Sequence, residues 1–247
     1  MKRVLMALGG AIVVLGAVAV GPAGAQTPMC GEPGNEQPAT IVGAGFIRGT
    51  DGPDVIVGSP GRDIILAGGG NDVVCGNGGN DYIDGGPGND VLIGAEDGPP
   101  FAAQGSADVL VGGPGDDTLA GLTGADILLG GDGDDTLIGF GGDDRAIGGG
   151  GDDTIFGGPG ADLIMGDAGD DTLFGNFGGD TIFGGDDDDT LNGDNPFQGD
   201  PPPGSLPNAA TPDACYGQNG NDNVFNCEIG DPSVPLAPEP PPEELPI

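Results

Sequence analysis

Gly130-Gly131-Asp132-Gly133-Asp134-Asp135-Thr136-Leu137-Ile138 is one nine-residue unit, and the units on either side of it repeat its pattern. Counted in nines from Gly49, the register runs without a gap to Asn192 and yields sixteen units. Position 6 is Asp in fifteen of the sixteen, failing only at Pro99. Position 8 is apolar in all sixteen, from Ile56 to Leu191, with Phe101 and Ala146 the odd sizes. Position 1 is Gly in fourteen units and position 4 in thirteen. A further unit, Gly217 to Phe225, stands alone after an interruption, with Asp222 and Val224 at the matching places. Such self-similarity marks a stacked architecture, because no single unit can bury its apolar side chain alone.

Each position has a physical reading. Clustered glycines permit positive φ and close backbone approach, so positions 1 to 6 form a tight turn. Positions 7 to 9 are often β-branched around an apolar centre, which suits a three-residue strand whose middle side chain faces inward. A second period shows how units stack. Thr118, Thr136, Thr154, Thr172 and Thr190 recur at position 7 in alternate units, while the units between them carry Val109, Ile127, Arg145, Leu163 and Thr181. Two units therefore make one coil, with a strand on each of two sheets. One edge is expected to present Asp54, Asp72, Asp90 and their successors, and the other Asp63, Asp81 and Asp117.

The motif Gly-Gly-x-Gly-x-Asp-x-apolar-x resembles the hemolysin-type calcium-binding repeat, known as RTX, over residues 49–192 and 217–225. The resemblance implies an all-β fold, a parallel β-roll solenoid of tandem nonapeptide repeats with two repeats per coil. It also implies Ca²⁺ between stacked turns, held by backbone carbonyls and by the position-6 carboxylates. Those are Asp54, Asp63, Asp72, Asp81, Asp90, Asp108, Asp117, Asp126, Asp135, Asp144, Asp153, Asp162, Asp171, Asp180 and Asp189. Charge supports the same expectation. Carboxylates about 4.8 Å apart in a row repel one another unless a cation intervenes. Oxygen ligands in an irregular turn suit calcium better than magnesium or a softer metal. Eight turns per edge leave seven gaps each, and Pro99 disturbs two of the fourteen, so about 12 ions are expected.

Composition bounds the rest. The 247 residues carry a formal charge of −35 and include 56 Gly, 24 Pro, no His and no Trp. Collagen is excluded because Gly does not recur every third residue. Residues 1–25 read as a secretory signal peptide: Lys2-Arg3, an apolar run from Val4 to Val20, then Ala23-Gly24-Ala25. Cleavage there removes two of the five cations and leaves 3 − 40 = −37. That charge repels nucleic acid and anionic lipid, so no partner of either kind is expected, and no membrane association after cleavage. The expected location is secreted and extracellular. Cys30, Cys75, Cys215 and Cys227 in an exported chain point to disulfides, with three pairings possible, of which Cys30–Cys75 and Cys215–Cys227 are the expected ones.

The remaining segments are a lead-in and cap over 26–48, in which Ile41, Val42, Phe46 and Ile47 cover the first coil, an insertion over 193–216, a lone repeat and C-terminal cap over 217–230, and a Pro-rich acidic tail over 231–247. One outer sheet face is expected to be almost wholly apolar, along Val55, Val73, Val91, Val109 and Ile127, and to be covered by a second copy, another protein or the N-terminal segment. With no His and no nucleophile elbow the chain is not expected to be an enzyme. The expected function is a secreted calcium-binding repeat protein that folds on binding Ca²⁺ and plays a structural or adhesive part. An ice-binding or surface-layer-like protein, or an accessory module of a secreted enzyme complex, is the alternative.

Overall fold

A nonapeptide with one inward side chain has to stack, and in the structure, a computed structural model, it does. The structure describes residues 6–8, 11–13, 29–30, 37–95, 105–194, 214–225 and 227. Two parallel sheets face each other. One has nine strands: Phe46–Arg48, Ile64–Leu66, Tyr82–Asp84, Val109–Pro114, Ile127–Asp132, Arg145–Gly150, Leu163–Ala168, Thr181–Asp186 and Ala214–Gln218. The other has ten: Ile41–Val42, Val55–Val57, Val73–Cys75, Val91–Ala95, Thr118–Thr123, Thr136–Gly141, Thr154–Pro159, Thr172–Phe177, Thr190–Asp194 and Asn223–Phe225. The chain alternates between the sheets, two repeats to a lap. The expected parallel β-roll is the observed fold.

Position 8 builds the core. Ile56, Ile65, Val74, Ile83, Leu92, Leu110 and their successors to Leu191 lie between the sheets, nearly all of them with no exposed surface. Each stacks on its counterpart one lap away, as Leu137 does on Leu119 and Ile155. Residues 41–48 do more than cap this column, because Ile41–Val42 and Phe46–Arg48 are the first strand of each sheet and Ile47 joins the core. The two disulfides sit at the ends. Cys30 is bonded to Cys75, and Cys215 to Cys227, as expected.

From Phe46 onward the laps keep the eighteen-residue period except at two places; the pairing of Ile41 with Ile56 before it spans 15. After Val91–Ala95 the next strand on that sheet is Thr118–Thr123, 27 residues on, and Tyr82–Asp84 pairs with Val109–Pro114 over the same interval. One nine-residue unit, which contains Pro99 and Phe101, thus drops out of the lap count; residues 96–104 lie outside the described residues. Because the excluded length equals one repeat, the register in nines survives while the sheets exchange partners. The apolar file expected along Val55, Val73, Val91, Val109 and Ile127 is therefore broken. The first three share a sheet with the threonine column, and Val109 and Ile127 lie on the other sheet below Tyr82.

The second departure is at the C-terminal end. Ala214 pairs with Thr181 and Cys215 with Ile182, so the roll resumes at Ala214 with Cys215 in the position-8 column. The insertion expected over 193–216 is shorter by these residues. On the outer face of the ten-stranded sheet, Cys30 and Ala39 cover Val55, Val57, Cys75 and Ile93, so the N-terminal segment does cover part of an apolar face. Further along that face Leu122 and Phe140, at φ 83° and 71°, fold against Ala120, Ile138 and Phe156.

Truncation of the inner column should be costly and truncation of the threonine column mild. In saturating calcium, Ile155→Ala is expected to lower unfolding free energy by about 2–5 kcal/mol, read by chemical denaturation. Thr154→Ala on the same strand should cost less than about 1 kcal/mol.

Candidate metal centre

Asp117 shows what a position-6 carboxylate does. Its amide donates to Oδ1 of Asp135 at 2.7 Å, and its own Oδ1 accepts the amide of Asp90 at 2.7 Å. Its carbonyl accepts the amide of Thr136 at 2.9 Å, which continues the strand ladder. Each Asp thus braces the lap before it through Oδ1. The same bond links Asp54 to Asp72, Asp72 to Asp90, Asp135 to Asp153, Asp153 to Asp171 and Asp171 to Asp189 along one edge. Asp222 ends that file by accepting the amide of Asp189 at 3.1 Å. The other edge runs Asp63, Asp81, Asp108, Asp126, Asp144, Asp162, Asp180. All fifteen expected residues therefore fall into two files. The corrections are that Asp81 is followed by Asp108 rather than Asp117, and Asp90 by Asp117 rather than Asp108, because the unit with Pro99 is skipped. For the same reason neither file has a missing carboxylate where Pro99 was expected to leave one.

The second oxygen is the unusual one. Oδ2 of Asp72, Asp90, Asp117, Asp126, Asp135, Asp144, Asp153, Asp162, Asp171 and Asp189 is buried and has no hydrogen-bond partner. An unmet buried acceptor costs on the order of 1–3 kcal/mol, more when charged. Except in the Asp72 turn, where Ala67 stands at position 1, these oxygens lie against the position-1 glycine of their own turn. A Cβ on Gly112 would collide with both Asp117 Oδ2 and the carbonyl oxygen of Gly130 one lap on, and a Cβ on Gly139 with Asp144 Oδ2 and the Gly157 carbonyl oxygen. In these turns two acceptors from neighbouring laps therefore converge on the space beside the glycine Cα. Neither can satisfy the other, and a cation satisfies both. Positive φ at positions 2 and 4, as at Gly131 and Gly133 (both 129°), shapes the turn around that space.

The donor set is hard oxygen throughout, and the chain has no His. Among the described residues no three His, Cys, Asp or Glu side chains converge on one point, so the carboxylate would share its ion with backbone carbonyls. That is a calcium-type environment, not a zinc or Fe–S one.

Without metal, burial pushes these carboxyls up. Asp162 is pushed up to about 8; Asp117, Asp126, Asp144, Asp153, Asp171 and Asp189 to about 7; and Asp90 and Asp135 to about 6. Loss of solvation is the main cause. The amide donated from the preceding lap pulls the other way, and neighbouring carboxylates add to the rise.

Parallel laps whose turns bury unmet carboxylate oxygens on both edges define a cation-binding β-roll. The model of the RTX calcium-binding nonapeptide repeat, which spans four copies of the unit, matches residues 42–74, 76–97, 103–137, 138–173 and 165–195. The chain belongs to that family and is a calcium-binding repeat protein. No curated protein matches it significantly.

Two outcomes follow from this geometry. Gly112→Ala should weaken calcium binding and destabilise the loaded roll, whereas Gly150→Ala, whose Cβ would meet nothing closer than 3.9 Å, should leave both unchanged within error. Paired calcium titrations would measure the difference. The second concerns pH. A carboxyl whose folded pKa lies above its unfolded value of about 3.9 favours the fold below that value, and the benefit is lost as pH rises through the folded pKa. In excess chelator the β-sheet circular dichroism should be strongest near pH 4 and fall towards pH 8, and calcium should reverse the fall.

Proposed function

We propose that this protein is exported, folds as calcium loads into its turns, and serves as a structural or adhesive element outside the cell rather than as an enzyme. The observation that carries the proposal is the buried Oδ2 left unmet on lap after lap of both edges. The ions would be held by those position-6 carboxylates whose Oδ2 is left unmet and by carbonyls of the glycine turns. What the metal supplies is charge. On the order of a dozen divalent ions would offset roughly two thirds of the mature chain's negative charge. Since the turns assemble only in the ordered state, binding free energy becomes folding free energy.

The disulfides Cys30–Cys75 and Cys215–Cys227 suit an oxidising compartment and so support export. The acidic groups recur identically from lap to lap, which favours ligands over a tuned catalytic pair. Ice binding gains no support. Beside the threonine column runs a position-9 column of Ala120, Ile138, Phe156, Phe174 and Asn192, too uneven for a flat surface.

Calorimetric calcium titration followed by circular dichroism tests the proposal. At pH 8 we expect a largely unfolded chain in chelator, a cooperative gain of β structure on adding calcium, and a stoichiometry on the order of a dozen. A full β spectrum in chelator at pH 8 would defeat coupled folding. Export predicts a mature protein beginning at Gln26 in the culture medium, read by N-terminal sequencing.

A further inference from the structure

The first turn on each edge departs from the pattern at position 2, and it differs from the Asp108 turn, where a hydroxyl also reaches Oδ2 but from Ser106 at position 4 and with no amide beside it. Gly49-Thr50-Asp51-Gly52-Pro53-Asp54 and Gly58-Ser59-Pro60-Gly61-Arg62-Asp63 carry a hydroxyl at position 2. Later turns hold that position at positive φ, as at Gly68 (118°), Asn77 (72°) and Gly131 (129°), and most hold position 4 there too, as at Gly70 (109°) and Gly79 (104°), with Ser106 and Gly160 the exceptions. Thr50 and Ser59 do not have positive φ, and neither do Gly52 and Gly61, although glycine would allow it. The backbone of both turns has taken the other course.

The consequence falls on the carboxylate. In an ordinary turn the position-2 amide donates to the next lap, as Gly68 does to the Gly85 carbonyl at 3.1 Å and Gly86 to that of Gly112 at 2.9 Å. In the first turns it points inward. Thr50 donates its amide to Asp54 Oδ2 at 2.8 Å and its hydroxyl to the same oxygen at 2.9 Å. Ser59 donates its amide to Asp63 Oδ2 at 2.6 Å and its hydroxyl to Oδ1 at 3.2 Å. The hydroxyls also fix the turn, accepting the amides of Gly52 at 3.2 Å and Gly61 at 3.3 Å. The Oδ1 atoms are met too, that of Asp54 by the Thr40 hydroxyl at 3.2 Å and that of Asp63 by the Gly45 amide.

We infer that the first turn of each edge is a metal-free cap, sealed by Thr50 and Ser59, so that the roll takes two fewer ions than it has gaps between turns. The inference rests on the calcium reading of the later turns. An ion approaching Asp54 Oδ2 or Asp63 Oδ2 would face an N–H dipole aimed at the same oxygen, and to enter it would have to break that bond and invert the turn. Inversion needs positive φ at position 2, which a β-branched Thr resists and Gly does not. The hydroxyl residue is thus the element that excludes the ion, and the first lap keeps its shape with no ion in its turns.

The test is native mass spectrometry of the calcium-loaded mature chain, comparing wild type with Thr50→Gly, Ser59→Gly, the double variant and Thr50→Ser. Each glycine variant should hold about one more ion, the double about two more, and Thr50→Ser none. Should the glycine variants keep the wild-type number while the wild type loads many ions, the inference is overturned and the calcium reading stands. A wild-type chain that takes up no calcium at millimolar concentration would bring down both. Anomalous scattering from calcium-loaded wild-type crystals answers without substitution. Density between the Asp90 and Asp117 turns and none beside Asp54 or Asp63 is expected, and an ion on Asp54 Oδ2 or Asp63 Oδ2 would overturn the inference.

Discussion

The structure depends on a carboxylate with two unequal oxygens. One accepts an amide from the preceding lap, and this bond is what ties turn to turn where the strand ladder gives way to the bend. The other is aimed at a space lined by carbonyl oxygen. Asn at position 6 could brace the ladder and also donate to those carbonyls, closing the turn without metal. Glu would place its oxygens one carbon further out and lose the brace. Asp alone combines the ladder bond with an unmet charge, and it fills position 6 in fifteen of sixteen units. The turn therefore keeps one buried oxygen unmet on lap after lap of each edge, and the hydrophobic column drives the stacking.

The edges differ in what they show to solvent. Along the edge of Asp117 and Asp135, position 5 carries a second, exposed file of Asp116, Asp134, Asp152, Asp170 and Asp188. Its members brace each other in the opposite sense to the inner file, each later amide reaching back: that of Asp152 to Asp134 Oδ1 at 3.0 Å, and that of Asp170 to Asp152 Oδ1 at 3.0 Å. On the other edge position 5 reads Arg62, Asn80, Ala107, Ala125, Asp143, Ala161 and Gly179. Ions held inside the turns would balance the inner files and leave this outer row facing water. One margin of the roll then stays strongly negative and the other nearly neutral, which keeps the edge-on surfaces of two rolls from being equivalent.

Much of this was legible in the residues. Position 8 fixed the core column, position 6 the two files, and the recurrence of Thr118, Thr136, Thr154, Thr172 and Thr190 the two-unit lap. The failures have physical causes. A unit left out of the lap count removes nine residues from a chain counted in nines, so the register at Asp108 looks continuous while its edge has changed; Pro99, and Asp97 where a turn glycine belongs, were the available signals. Ala214 was missed because its unit lacks glycine and puts a cysteine in the apolar column. Leu122 and Phe140 occupy a position whose positive φ favours glycine, and they hold it because their side chains gain cover for Ala120, Ile138 and Phe156. Thr50 and Ser59 read as ordinary variation until their amides are seen to face the carboxylate.

A solenoid is weakest at its ends, where a lap has a neighbour on one side only. Here each end is closed by different means with a common effect. At the start, hydroxyls and amides meet the first two carboxylates, and the Cys30–Cys75 bond holds a covering segment over Val55, Val57 and Ile93. At the finish, Cys215 stands in the core column itself, and its bond to Cys227 draws the following chain across the last lap beside Val224. Neither device requires a metal ion. Covalent bonds and neutral donors guard the laps that stacking cannot, while the interior laps, flanked on both sides, are left to the cation. The division follows from where a lost ion would do the most harm: at an end it would unpeel the roll, whereas in the middle two neighbours hold the lap in register.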